Sequence, residues 1–95
     1  MIGVVARLTI KAGEEENFKT AMRGLAAAVR ADEPGNRVYQ CFQARENPAE
    51  FVVLEIYDDQ AALTAHGASA HFRAAGPALG ATLASAPKIE YLDAF

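Results

Sequence analysis

Four side chains that can do acid–base chemistry lie close together in the second half of the chain: Glu55, Tyr57, His66 and His71. An imidazole titrates near neutral pH, so either histidine can act as a general base. Glu55 can orient a histidine or act as a base with a raised pKa. Tyr57 can offer a hydroxyl at the mouth of a pocket. These residue types are able to carry out acid–base catalysis, and none of them identifies the ligand.

Each of these residues also has a structural interpretation. Either histidine can cap a helix or pack against a strand edge, satisfied by backbone groups. Glu55 can form a cross-strand ion pair with Arg7, since their strands are expected to be central neighbours. The histidines are separated by five positions across a helix break. They therefore do not form the i, i+4 pair that one helix offers a metal, and no metal ligand is predicted.

The stretch from Phe51 to Phe72 positions all four residues. Its first part, 51–57, is almost wholly apolar and is too short for a typical helix, which favours a strand covered on both faces. Glu55 interrupts this run, and a carboxylate there must be paired, hydrogen-bonded or protonated. Residues 60–66 form a short helix that Gly67 ends.

Alternating and helical patterns outline the rest of the chain. Apolar residues alternate from Ile2 to Ile10 as in a strand with one apolar face. Two helices carry apolar stripes at i, i+4, i+7 and i+11. The stripes are Phe18, Met22, Leu25 and Val29, then Phe72, Gly76, Leu79 and Leu83. Pro77 is expected to kink the last helix or divide it in two.

The resulting order of elements is βαββαβ. A Pro-Gly turn at 33–36 leads into a strand at about 37–45, which forms an antiparallel hairpin with the strand at 51–57, and 88–95 is the closing strand. We expect one α+β domain over residues 1–95, a ferredoxin-like sandwich with a four-stranded antiparallel sheet. Two helices cover only one face of such a sheet, yet the strand at 51–57 is apolar on both sides. A homodimer with its sheets packed face to face is therefore expected.

Composition narrows the possible partners. The 95 residues are 52% hydrophobic and only 22% charged, which is more apolar than a small monomer readily hides. The net charge of -3 without a basic cluster argues against nucleic acid. The longest uncharged run, 74–87, is too short to span a membrane. Cys41 is the single cysteine, which excludes an internal disulfide and fits a reducing cytoplasm.

The chain resembles the antibiotic biosynthesis monooxygenase family of dimeric α/β barrels over essentially its whole length. The features that carry the resemblance are Ala12-Gly13-Glu14 before a helix with Phe18, the turn Glu33-Pro34-Gly35-Asn36, and most specifically Glu55-Ile56-Tyr57 with His66, Ser69, His71 and Phe72. The resemblance implies a quinol or polyketide anthrone bound between the helices and the sheet. It also implies oxidation by dioxygen without metal, flavin or any other cofactor.

Departures from the family pattern refine this expectation. Many members have Trp at the position of Tyr57, and the polyketide-tailoring type has Asn where this chain has Val53. The related haem-degrading enzymes place their Asn, Trp and haem-ligating His where Ala6, His66 and Gly76 stand here, so haem is not expected as a cofactor.

An apolar pocket for a flat aromatic ligand is expected, with Phe18, Met22, Phe72 and Leu79 as its candidate lining residues, although the same stripes can simply be a core. Two functional classes remain open. One is a cofactor-independent monooxygenase of quinol-like aromatics, and the other is a dimer that binds or senses a small hydrophobic molecule without turnover.

Overall fold

Four strands and three helices make up the structure. The computed structural model describes residues 1–95. The elements are β1 (Ile2–Thr9), α1 (Glu15–Asp32), β2 (Asn36–Gln43), β3 (Glu50–Tyr57), α2 (Gln60–Ala68), α3 (Ala70–Thr82) and β4 (Lys88–Asp93). The strands form one antiparallel sheet in the order β2-β3-β1-β4. The predicted ferredoxin-like α+β fold is confirmed, with β1 and β3 in the centre.

The helices begin and end where local chemistry favours it. The Asp59 side chain accepts a hydrogen bond from the backbone N–H of Ala62 at the start of α2, and the Ser69 hydroxyl accepts one from Phe72 at the start of α3. Of the two predicted effects of Pro77, division of the helix is wrong, because α3 continues through this residue to Thr82. Pro77 lies on an exposed face, where water can satisfy the carbonyl group that loses its partner.

The core lies between the helices and one face of the sheet. β1 contributes the inward-facing Val4, Ala6 and Leu8, as the alternating pattern predicted. All four residues of the predicted α1 stripe are buried. The predicted α3 stripe is buried only in part, since Leu79 and Leu83 pack against the core and Phe72 is exposed.

The predicted ion pair between Glu55 and Arg7 is wrong. Glu55 lies opposite Val4, on the face that the helices cover, whereas Arg7 lies opposite Val52 on the other face. Side chains alternate between the two faces of a strand, so Val4 and Arg7, three positions apart, cannot share one. Arg7 contacts Glu90 instead, with 3.5 Å between Nη1 and Oε1.

The face of the sheet opposite the helices, here called the open face, carries many apolar side chains. They are Val5, Val38, Phe42, Val52, Leu54, Ile56 and Leu92. In the single chain Phe42 is 52% exposed and Leu54 is 39% exposed. β3 is thus apolar on both sides, and its Phe51, Val53 and Tyr57 side faces the helices. None of the three helices has the length and hydrophobicity of a membrane span.

Candidate active site

A cavity of about 700 Å³ lies between the helices and the sheet. Most of the residues that line it are hydrophobic, and the structure places all four predicted lining residues, Phe18, Met22, Phe72 and Leu79, on its wall. Exposed side chains of β4, Ile89 and Tyr91, complete one side. Its size and its apolar wall suit a small organic ligand.

One end of the cavity, here called the polar end, is lined by Tyr39, Glu55 and His66. Tyr39 and Glu55 are directly opposite each other in the β2–β3 pairing, and both side chains point inward. His66 lies in the last turn of α2. Its ring centroid is 5.5 Å from each of the Tyr39 and Tyr57 rings and 4.9 Å from that of Phe72. Three aromatic neighbours therefore fix the His66 ring in place.

Glu33 orients the His66 ring. The Nδ1 atom of His66 is 2.8 Å from Oε2 and 3.1 Å from Oε1 of Glu33. Because a carboxylate only accepts hydrogen bonds, Nδ1 carries the proton in this contact, and Nε2 of the neutral ring is then a proton acceptor. The Glu33 side chain is only 8% exposed. Glu33 and His66 therefore form a buried dyad.

Sequence reasoning treated Glu33 only as part of a turn and missed this role. A signal was present, since Glu33 follows Val29 by four positions and so continues the buried stripe of α1. The backbone N–H of Glu33 still donates to the carbonyl of Val29, which keeps the inward direction of the helix face.

His71 does not line the cavity. Its Nε2 donates to Oε2 of Glu33, and its side chain is 18% exposed. The structure therefore brings His66 and His71 to the same carboxylate, but only His66 also lines the cavity.

The Tyr57 hydroxyl lies behind Glu55 and not at the mouth of the pocket, as the sequence had suggested. It donates to Oε1 of Glu55 over 2.6 Å, and Tyr57 is fully buried. Burial raises the pKa of Glu55, while the hydrogen bond from Tyr57 and the positive charge of a protonated His66 act in the opposite direction. Glu55 is thus held more readily in its protonated form than an exposed carboxyl is.

Three polar atoms at the polar end have no partner within the protein: Tyr39 Oη, Glu55 Oε2 and His66 Nε2. Every buried polar side-chain atom has a hydrogen-bond partner, so these three atoms are reachable by solvent, and the cavity is the space that their residues line. Burial raises the pKa of the Tyr39 hydroxyl, which keeps its proton. The polar end can therefore donate a hydrogen bond from Tyr39 and accept a proton at His66.

Glu33, His66 and His71 are also able to hold a metal ion. Their ligating atoms lie within 4.8 Å of one another, and two imidazoles with one carboxylate suit zinc or iron(II). The spacing of the histidines along the chain did not predict this set, because Glu33 joins it from the end of α1. Cys41 is not part of it, and burial raises the pKa of this thiol to about 11.

The fold and the cavity together define a ferredoxin-like domain with a ligand-sized space between its helices and its sheet. The model of the family described as antibiotic biosynthesis monooxygenase matches residues 1–78. The chain belongs to the antibiotic biosynthesis monooxygenase family.

Relatives share both sequence and architecture with this chain. A Bacillus subtilis (strain 168) protein named "Putative monooxygenase YcnE" is 36% identical over 87 residues, which are 92% of this chain and 90% of that protein. A crystal structure from Caulobacter crescentus CB15, named a "putative antibiotic biosynthesis monooxygenase", is 45% identical, with a TM-score of 0.95 over 99% of this chain and 89% of that one. A protein from Nitrosomonas europaea with the same name is 25% identical, with a TM-score of 0.91 over 99% and 98%. The family and the names of these relatives support a general assignment as a monooxygenase, without specifying a substrate.

Proposed function

We propose that this protein is a cofactor-independent monooxygenase that oxidises a small aromatic quinol or polyketide-like phenol with dioxygen. The observation that carries the proposal is the position and hydrogen bonding of His66. Its Nδ1 is bonded to buried Glu33, while its Nε2 has no protein partner and its residue lines a largely apolar cavity. A base oriented in this way toward an apolar space suits a substrate with an acidic hydroxyl on a flat ring.

Binding uses both parts of the cavity. The aromatic ring of the substrate contacts the apolar wall formed by Phe18, Met22 and Leu79, and its hydroxyl is directed to the polar end. Burying the ring supplies non-directional free energy, about 25 cal/mol per Å² of apolar surface removed from water. The hydrogen bonds of Tyr39 and His66 then orient the reacting atoms.

Proton removal is the first chemical step. His66 Nε2 takes the hydroxyl proton, and the Glu33 carboxylate stabilises the resulting imidazolium through Nδ1–H. His66 lies in the last turn of α2, where the negative end of the helix dipole also favours a positive charge. General-base assistance of this kind is typically worth about a hundredfold to ten-thousandfold in rate. The phenolate that forms is the electron donor for dioxygen.

The oxidation balances without a further reductant. The phenolate gives electrons to dioxygen and forms a carbon–oxygen bond, and the proton held by His66 converts the resulting peroxide to a hydroperoxide. Cleavage of the oxygen–oxygen bond leaves one oxygen atom in the product and the other in water, and both hydrogens of that water come from the substrate. Glu55, whose pKa is raised by burial, protonates the departing oxygen and regains a proton from the substrate carbon.

The proposed active form is a homodimer. The open face exposes large apolar side chains such as Phe42 and Leu54, and packing two such faces together removes them from water. The cavity lies on the other face of the sheet, so this association leaves it accessible. We expect a mass in light scattering of about twice the 10.1 kDa of one chain.

Oxygen consumption by metal-free protein, measured with a panel of hydroquinones and an anthrone, tests the activity. We expect His66→Ala to lower the rate by more than about tenfold. Thr64→Ala, an exposed change on the same helix, is the matched control and should keep the parental rate.

Full activity in the His66 variant contradicts the mechanism. If the parent binds members of the panel without consuming oxygen, the protein binds or senses a small hydrophobic molecule, and the monooxygenase proposal fails.

A further inference from the structure

Two buried carboxylates lie near one another at the polar end without a lysine or arginine partner. The side-chain partners of Glu33 are the two histidines, and that of Glu55 is the Tyr57 hydroxyl. Charges that are buried in proteins are paired or coordinate a metal. The Glu33 carboxylate, whose side-chain partners are only two imidazoles, can therefore supply the negative charge that a bound cation needs.

The donor set that surrounds Glu33 comes from three separate elements. Glu33 follows α1, His66 ends α2 and His71 begins α3, so the set is fixed by tertiary structure and not by one flexible loop. The side chains of Glu33, His66 and His71 are 8%, 8% and 18% exposed. His71 has no other side-chain partner than Glu33. No side chain outside the set therefore occupies the Nε2 atom of His71.

We infer that Glu33, His66 and His71 form a binding site for one divalent transition-metal ion, with Zn²⁺ as the ion that fits the donors best. Zinc binds nitrogen and oxygen at about 2.0–2.2 Å, so donors around it lie about 3.3 Å apart. His66 Nδ1 and Glu33 Oε1, at 3.1 Å, are already close to this separation. The Nε2 atom of His71 contacts Oε2 of the same carboxylate, so the donor atoms of all three side chains already lie together. Three protein ligands leave one position of a tetrahedral ion for water.

Metal binding has a consequence for the proposed function. A neutral imidazole that binds a metal through Nδ1 carries its proton on Nε2. His66 then presents a donor to the cavity and cannot take a proton from a substrate. The metal-free protein is the active form, and zinc inhibits the reaction without entering the cavity. This second step rests on the proposed function, whereas the binding site itself does not.

Calorimetric titration of untagged, chelator-treated protein with ZnCl₂ tests the site. We expect one zinc ion per chain with micromolar or tighter affinity. His71→Ala and Glu33→Gln should each weaken binding by at least about tenfold. The chain has two histidines and one cysteine, so Cys41→Ser is the matched control and should leave the affinity unchanged. Mg²⁺, which prefers oxygen ligands, should not bind.

Several results would overturn the inference. They are the lack of saturable zinc binding, unchanged affinity in His71→Ala, or loss of binding in Cys41→Ser. Co²⁺ in place of zinc gives a second measurement, because the visible spectrum of a bound cobalt ion reports its nitrogen and oxygen ligands. The spectrum can be recorded for the folded His71→Ala and Glu33→Gln variants. Oxygen consumption with and without zinc then tests the inhibition by zinc. A parent without any oxygen uptake refutes the proposed function and leaves the calorimetric result to decide the metal site.

Discussion

Replacing Glu33 with glutamine should destabilise the protein far more than an ordinary surface change. In the parent one carboxylate accepts hydrogen bonds from both His66 and His71. A glutamine side chain has one oxygen and one NH₂ group, so it can accept from only one imidazole and directs a donor at the other. The change removes at least one hydrogen bond to a charged group, which is worth about 1.5–3 kcal/mol.

The expected loss translates into a measurable melting temperature. For a domain of this size, 1 kcal/mol corresponds to about 4–8 °C, so Glu33→Gln should melt about 6–24 °C lower in differential scanning calorimetry. Glu16→Gln is the matched control, at the start of the helix that Glu33 follows. Its side chain is 81% exposed and pairs with Lys19 at 3.2 Å, and such a pair contributes about 0–1 kcal/mol.

Two measurements can refute this reasoning. If Glu33→Gln melts within the range of Glu16→Gln, the buried hydrogen bonds do not stabilise the fold as argued. Nitrogen-15 NMR of the histidine rings reports the second point, because Nδ1 of His66 should carry the proton in the parent and lose that preference in the variant. An unchanged His66 tautomer in a destabilised variant would show that Glu33 does not orient the ring.

Three further changes test other parts of the structure. Gly35→Ala should lower stability and activity together, because the new Cβ would lie 2.5 Å from the Cβ of Ala62 and push α2 away from Glu33; calorimetry and oxygen uptake measure this. Leu54→Asp should give monomers in light scattering, since it places an unpaired charge on the open face. Glu55→Gln should raise the melting temperature at pH 8 but not near pH 4. Burial raises the pKa of Glu55 in the folded state, so its ionisation costs stability as the pH rises above 4.5.

The sequence was sufficient to predict the helices and strands but not all of the contacts between side chains. Periodicity predicted β1 and α1 because each repeats a regular pattern with one apolar face, from Val4 to Leu8 and from Phe18 to Val29. The predicted Arg7–Glu55 ion pair is wrong because opposite charges on neighbouring strands do not determine the strand register or the sheet face on which each side chain lies. The register Val4 to Glu55 follows from the whole β1–β3 pairing, which no local pattern contains.

The candidate site was predictable only in part for a similar reason. His66 and Glu55 were named as candidates from their chemistry, and the four apolar candidate residues line the cavity, while their role in binding stays a prediction. The roles of His71 and Tyr57 depend on which way their side chains point, and the importance of Glu33 depends on what α2 brings to it. Each is a contact between residues far apart in sequence, and spacing along one element cannot show such contacts.

The polar end lies where it does because the fold brings several chain ends to one place. The turn that follows α1 and the end of β3 are fastened together, since Asn36 pairs with Tyr57 and the backbone N–H of Asp58 donates to the carbonyl of Gly35. α2 starts directly after this point and crosses back over it, so its last turn carries His66 to Glu33. Gly35 permits the close approach of α2. The orientation of the proposed base is therefore set by a turn that never touches the substrate, and changes in that turn should alter the rate of the reaction more than the affinity of the apolar wall for its ligand.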